Sequence, residues 1–171
     1  MGPWGTNLTA RFGPDAVGRV LQRLPPPLDA IAPVLTTRDW VPVYTQLLLT
    51  EAIVDEYLAG DLRALYPLIL EDARAGMGSV QRLLVRTLGP GRAMKLAPGT
   101  FRKVHERGSV DVDVSGTSAR LRFTGTPLFA HPTWRVLQLF ATKMLLDLAD
   151  RPGSVTGESG GDDSFVAVAS W

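Results

Sequence analysis

Asp111 and Asp113 sit two residues apart in Val110-Asp111-Val112-Asp113-Val114, a spacing at which paired carboxylates could do acid–base work or hold a divalent cation. The neighbouring sequence argues against both. Val110 to Val114 alternates apolar and polar residues with period two, as does Ala119-Arg120-Leu121-Arg122-Phe123, so the two stretches read as paired strands. A two-residue Gly116-Thr117 turn of type II′, with glycine at the first central position, sets their register. Asp113 then faces Arg120 and Asp111 faces Arg122, while Val114/Ala119, Val112/Leu121 and Val110/Phe123 share the other face. An opposed guanidinium keeps a carboxylate ionised and occupied, so these acids are expected in solvent-facing salt bridges.

The other chemistry-bearing residues are equally sparse. His105 ends Phe101-Arg102-Lys103-Val104-His105, where a histidine in a last helical turn favours the helix dipole. His131 precedes Pro132 at a helix start, and two histidines 26 residues apart with no third ligand make a poor metal site. Ser109, Ser115 and Ser118 belong to the hairpin and have no base beside them. Gly89-Pro90-Gly91-Arg92 is glycine-rich but lacks the Lys-Ser/Thr ending of a phosphate loop, and reads as a helix stop. No catalytic residue, metal ligand or cofactor-binding residue is therefore assigned. A hydrolase or transferase would need a pocket that gathers His105 or His131 with an acid. Aromatic and aliphatic side chains are the better candidates: Trp40, Tyr44, Leu48, Trp134, Leu137 and Phe140 lie on helix stripes and could line an apolar ligand pocket, although such stripes are more often plain core.

Helices must carry those stripes. Pro14 suits a first helical turn, and Val17, Val20, Leu21 and Leu24 share a face, predicting a helix over 14–24 that Pro25-Pro26-Pro27 stops. Ile31, Val34 and Leu35 fall in a loop or short strand. Pro42 starts a second helix to about residue 58, apolar on most of its circumference and so largely buried. Gly60-Asp61 caps a third to about 75, where Pro67 either kinks it or begins a new one. A fourth runs over 79–88, and Pro98 opens a fifth that ends near 108. After the hairpin, Pro132 starts a last helix to about 149, with Trp134, Leu137, Phe140 or Ala141, Met144, Leu145 and Leu148 inward and Arg135, Gln138, Lys143 and Asp147 outward. A second hairpin pairs 153–157 with 165–171 around the loop 158–163. Residues 1–12 read as a flexible lead-in, and 13–171 as one α+β domain. Its expected architecture is N-terminal helices followed by helix, hairpin, helix and hairpin, with an antiparallel sheet of about four strands packed on the helices.

Composition excludes several classes. The chain has 171 residues, with 18 basic and 17 acidic side chains, no cysteine and 45% hydrophobic residues. A net charge of +1 without blocks of like charge leaves no footprint for nucleic acid. Without cysteine there is no disulfide framework, thiolate zinc site or iron–sulfur cluster. No stretch approaches the ~20 apolar residues of a spanning helix, and the first residues lack the pattern of a secretory signal, so no membrane association and a cytoplasmic location are expected. Met-Gly-x-x-x-Thr matches a myristoylation pattern, but Pro3 stiffens it against an acyltransferase.

The order of elements from 13 to 171 resembles the module shared by heme-nitric-oxide-binding domains, four-vinyl-reductase domains and TRAPP-type proteins. Leu96-Ala97-Pro98-Gly99-Thr100-Phe101-Arg102 is similar to the Ala-Pro-Ser-Phe-Arg stretch that precedes the hairpin in heme sensors. Trp40 before a helix, the glycine-rich break before the hairpin and the terminal Trp171 resemble a myxobacterial paralogous family of unknown function. The resemblance to heme sensors would imply a proximal histidine on the helix over 79–88 and a Tyr-x-Ser-x-Arg clamp in the hairpin. Neither is there: that helix has no histidine, and the hairpin reads Asp113-Val114-Ser115-Gly116-Thr117. His105 lies after the matching stretch and cannot be carried over as the ligand, so no heme is expected. The residues and the resemblance together imply a bacterial, non-enzymatic regulatory or sensor-like module that binds a small apolar ligand or a protein partner. The alternative is a homodimeric structural or scaffolding protein of TRAPP-like fold.

Overall fold

A computed structural model describes residues 3–32 and 40–171. They divide into two compact units, Met1–Leu65 and Tyr66–Trp171, where one domain over 13–171 was expected. Each unit has its own hydrophobic interior.

The first unit is helical. Residues 1–12 were expected to be a flexible lead-in, but Pro3–Phe12 forms helix α1. It is held because Leu8 is buried and the Phe12 ring stacks on Tyr57 at 4.3 Å. The helix expected over 14–24 is shorter, α2 at Ala16–Leu21, and the segment 28–31 is a helical turn, α3 at Leu28–Ile31, in place of a loop or strand. Val34 and Leu35 lie outside the described residues. Helix α4, Val43–Tyr57, begins after Pro42 as expected. It buries Ala52 against Ala16, Val17, Val20 and Leu24, and partly buries Leu48, Leu49 and Ile53 in the same cluster. Tyr57 Oη donates to the Ala16 carbonyl at 3.2 Å, and Arg23 reaches the Glu56 carboxylate at 2.6 Å. The unit ends on a 3₁₀ turn at Leu62–Ala64, capped by the Asp61 carboxylate accepting from Arg63 N at 2.9 Å.

The second unit begins at Tyr66, the second residue of helix α5, Leu65–Gly76. Pro67 falls in its first turn, where no helical hydrogen bond needs its missing N–H, so a new helix begins and no kink forms. Helix α6, Ser79–Met94, leaves helical geometry at Gly89 (φ 70°, ψ 166°) and re-enters it beyond Pro90. The expected stop is thus a break. Helix α7 is Ala97–Val104 and α8 is Pro132–Leu148.

Strands β1 (Ser109–Ser115) and β2 (Ser118–Thr124) pair residue for residue as the alternation dictates, from Val110↔Phe123 to Asp113↔Arg120. Gly116 has φ 57°, as the type II′ turn requires. Strands β3 (Ser154–Ser159) and β4 (Ser164–Ser170) complete an antiparallel sheet of order β1-β2-β4-β3. The opposed charges do not pair as expected. Arg120 instead gives both guanidinium nitrogens to Glu158 on β3, at 2.6 and 3.3 Å, because that exposed carboxylate offers two oxygens to the fork.

The opposite face of the sheet is the core. Ala119↔Ala169, Leu121↔Ala167 and Phe123↔Phe165 are paired and buried beneath α6, α7 and α8. Trp134, only 2% exposed, meets Phe123 edge-on at 5.1 Å and lies 4.4 Å from Phe129. Phe101 of α7 meets Phe123 and Phe129 edge-on at 6.2 and 6.0 Å. Such pairs add about 0.5–1.5 kcal/mol each beyond the area they bury. On the far side of α8, Tyr66 Oη donates to Asp147 Oδ2 at 2.6 Å, Lys143 pairs with the other Asp147 oxygen, and Tyr66 packs on Phe140 at 5.1 Å. Burial first, then the bond to Asp147 and its charge, hold the Tyr66 phenol well above its usual value, with Arg74 opposing.

Gly108 and Gly99 test this packing in opposite senses. Gly108 has φ +82°, and an added Cβ would lie 2.6 Å from Phe129 Cζ, so Gly108→Ala should cost about 3 kcal/mol through backbone strain and overpacking. Gly99, inside α7, has nothing within 4 Å of an added Cβ, and Gly99→Ala should gain up to about 1 kcal/mol. Urea unfolding midpoints check both.

Candidate apolar ligand site

Small side chains beside large rings leave space in the second unit. Ala93 at the end of α6, Ala97 and Thr100 on α7, and Ala141 on α8 are too short to fill the gap between these helices and the hairpin. The result is a cavity of about 350 Å³, floored by Val110, Leu121 and Phe123 and walled by Phe101, Val104, Met144 and Leu145. Its size falls within the range of small-molecule pockets, about 300–1,000 Å³. It opens to solvent past Val104, which is 57% exposed, and past the exposed Ala141.

Four polar residues reach the lining: Thr100, His105, Gln138 and Thr142. The Thr142 hydroxyl donates to the Gln138 carbonyl one turn back, at 2.8 Å. His105 caps α7, its N–H donating to the Phe101 carbonyl at 2.9 Å, and its ring stacks on Phe101 at 4.1 Å. Burial pushes the His105 pKa down, so the ring is biased to its neutral form. His105 thus stands at the C-terminal cap of α7 as expected, with its imidazole folded onto an apolar wall and burial working against the charge that the helix dipole would favour. His131 stands where expected, before α8, its carbonyl accepting from Arg135 N at 3.0 Å.

Of the six residues expected to line a pocket, Trp40, Tyr44 and Leu48 lie in the first unit and Trp134, Leu137 and Phe140 in the second. Trp40 and Tyr44 are 63% and 58% exposed, and Leu48 packs on the cluster of the first unit. Trp134 is consumed by its contacts with Phe123, Phe129 and Phe165, Phe140 by Tyr66, and Leu137 is half-buried outside the cavity lining. The lining residues that sequence reasoning missed are mostly small ones, Ala93, Ala97, Thr100 and Ala141, and no spacing in the sequence shows which bulky side chains they face. Gln138, expected to point out, is one of the residues lining the cavity. Arg135, also expected outward, donates from Nε to the Phe129 carbonyl at 2.7 Å, while Lys143 and Asp147 are held in the Tyr66 network.

Among the described residues no group of three or more histidines, acids or cysteines could hold a metal ion, and no helix is long and apolar enough to cross a membrane.

The sequence matches no family model and no curated protein. Solved structures do share its fold. A single-residue mutant of the Fe(II) unliganded H-NOX protein from K. algicida superposes with a TM-score of 0.70 at 9% identity, covering 98% of this chain and 91% of that one. The corresponding H-NOX protein without the mutation gives 0.69 at 11% identity, with coverages of 98% and 91%. A structure from work probing heme distortion in the H-NOX family gives 0.56 at 9%, covering 98% and 90%. The chain thus has an H-NOX-like α+β fold, as the order of its elements led us to expect.

That fold raises the question of heme. A heme needs an axial donor and partners for its two carboxylates. The cavity offers one imidazole, His105, and no lysine or arginine among its lining residues. The lining does not fit a heme.

The neutral histidine has a pH signature. An unfolded histidine titrates near 6.5, while the folded ring resists protonation, so the unfolded state takes up the proton first as pH falls. Stability that His105 contributes is present above about pH 6.5 and lost as pH drops below it. Asp147 acts lower. Burial alone would raise its pKa, but bonds from Lys143 and Tyr66 and the charges of Lys143 and Arg74 outweigh that and lower it, so its contribution is lost only below about pH 4. Urea midpoints measured from pH 8 to 5 should fall, and the His105→Phe variant should show a flatter profile over that interval.

Proposed function

We propose that the chain is a sensor-like, non-enzymatic regulatory module whose second unit takes up a small apolar molecule without heme. The observation that carries this reading is the half-open apolar cavity between α7, the first hairpin and α8. Its wall includes α7, which is short and joins β1 through His105 and Gly108, so a guest that presses on Phe101 or Val104 would move the connection to the sheet. The likeness to a myxobacterial family, and with it a bacterial setting, belongs to the same reading and rests on Trp40, the glycine-rich break before the hairpin and Trp171 alone; a cytoplasmic location is proposed with it.

Filling the cavity tests it. Ala141 lines the space yet is exposed, so a larger side chain there meets no packed neighbour at its outer edge. The fluorescent probe N-phenyl-1-naphthylamine should bind one site per chain, and Ala141→Trp should weaken it at least about tenfold without lowering the urea midpoint. Equal binding by both proteins would sink the reading.

A homodimeric scaffold is the second reading, favoured by Leu83 and Leu96, which are 66% and 60% exposed and could be covered by another copy or a protein partner. Light scattering that finds only monomer at high concentration would count against it.

A further inference from the structure

The distribution of polar groups along the cavity says what kind of guest it suits, an inference that rests on the cavity being a ligand site. Its two ends differ. Phe101 contacts Phe123 and Phe129, and Trp134 at the start of α8 contacts the same two rings, so His105 and Gln138, each one turn further along, belong to one end. At the other end Gly91 approaches Val114 and Trp171, and Gly153 approaches both Leu146 and Trp171. That places Ala93, Ala97, Met144 and Leu145 together; of the polar lining residues a turn away, Thr100 and Thr142, the Thr142 hydroxyl is already spent on the Gln138 carbonyl. The cavity is amphipathic along its length.

At the polar end, no hydrogen bond from another described residue reaches the His105 ring nitrogens or the Gln138 side-chain amide. A pure hydrocarbon filling the space would strip water from these groups and return nothing. A carboxylate would fare no better, since the lining has no lysine or arginine and burial disfavours a charged His105. A hydroxyl answers both: it donates to one neutral acceptor and accepts from one neutral donor. For size, a dry cavity of about 150 Å³ takes one benzene, so this one has room for a body of about ten carbons.

We propose that the guest is a neutral alcohol of about that size, its hydroxyl held by His105 and Gln138 and its apolar body lying between Ala97 and Leu145. Other alcohols and phenols of similar length belong to the same chemical class.

Three ten-carbon competitors that differ only in the head distinguish the cases: 4-phenylbutan-1-ol, 4-phenylbutanoate and butylbenzene, each displacing N-phenyl-1-naphthylamine from the full chain at pH 8. The alcohol should compete about tenfold better than the hydrocarbon, as one or two neutral hydrogen bonds allow, with the carboxylate weakest. In the His105→Leu/Gln138→Leu variant the alcohol should lose its advantage while butylbenzene still binds. The carboxylate binding best, or the alcohol keeping its advantage in that variant, would overturn the proposal. Equal wild-type binding of alcohol and hydrocarbon would overturn the head-group assignment and leave the cavity as a ligand site. Failure of all three to displace the probe would remove both. The wild-type ranking needs no variant to fold.

Discussion

The second unit depends on one interlock of rings. Phe101, Phe123, Phe129, Trp134 and Phe165 come from α7, β2, the 3₁₀ turn at Pro127–Ala130, α8 and β4, and each touches at least two of the others. Arg135 adds to it, its guanidinium 5.8 Å from the Phe165 ring centre while Nε bonds the Phe129 carbonyl. Large rings at one end of the helix layer set a separation that alanines at the other end cannot span. The cavity is the geometric remainder of that clamp, which is why it survives in a close-packed protein.

Outside the clamp, the unit is organised by where polar groups can be satisfied. Arg120 and Glu158 close over the exposed face of the sheet, and pairs of that kind contribute little to stability. The Tyr66–Asp147–Lys143 group is better sheltered and ties α5 to α8 through oriented hydrogen bonds. The first unit repeats the principle on a smaller scale, with Phe12 and Tyr57 stacked and the Tyr57 hydroxyl bonded to a carbonyl of α2.

Local periodicity made most of the fold legible. The two hairpins, the start of α4 at Pro42, the long α8 and the register of β1 with β2 all follow from short-range patterns that tertiary packing did not override. α1 was not legible, because its order depends on Leu8 and Phe12 finding partners in α2 and α4, far along the chain. Nor was the division at Leu65, which no linker composition marks. The candidate site was the least legible part. Large aromatics drew attention as pocket residues, yet Trp134 and Phe140 bury themselves against other rings, and the space opens beside alanines and threonines. A cavity is defined by side chains that are too small, and which ones face each other is a property of packing and not of spacing.

Whether an apolar guest enters the space between α7, the first hairpin and α8 can be read from methyl NMR of the full chain during titration with butylbenzene. Shifts should concentrate at the methyl groups of Ala97, Val104, Leu121, Met144 and Leu145, with Val20 and Leu47 of the first unit unmoved. Shifts centred on Leu48, or spread evenly over both units, would refute entry at this site.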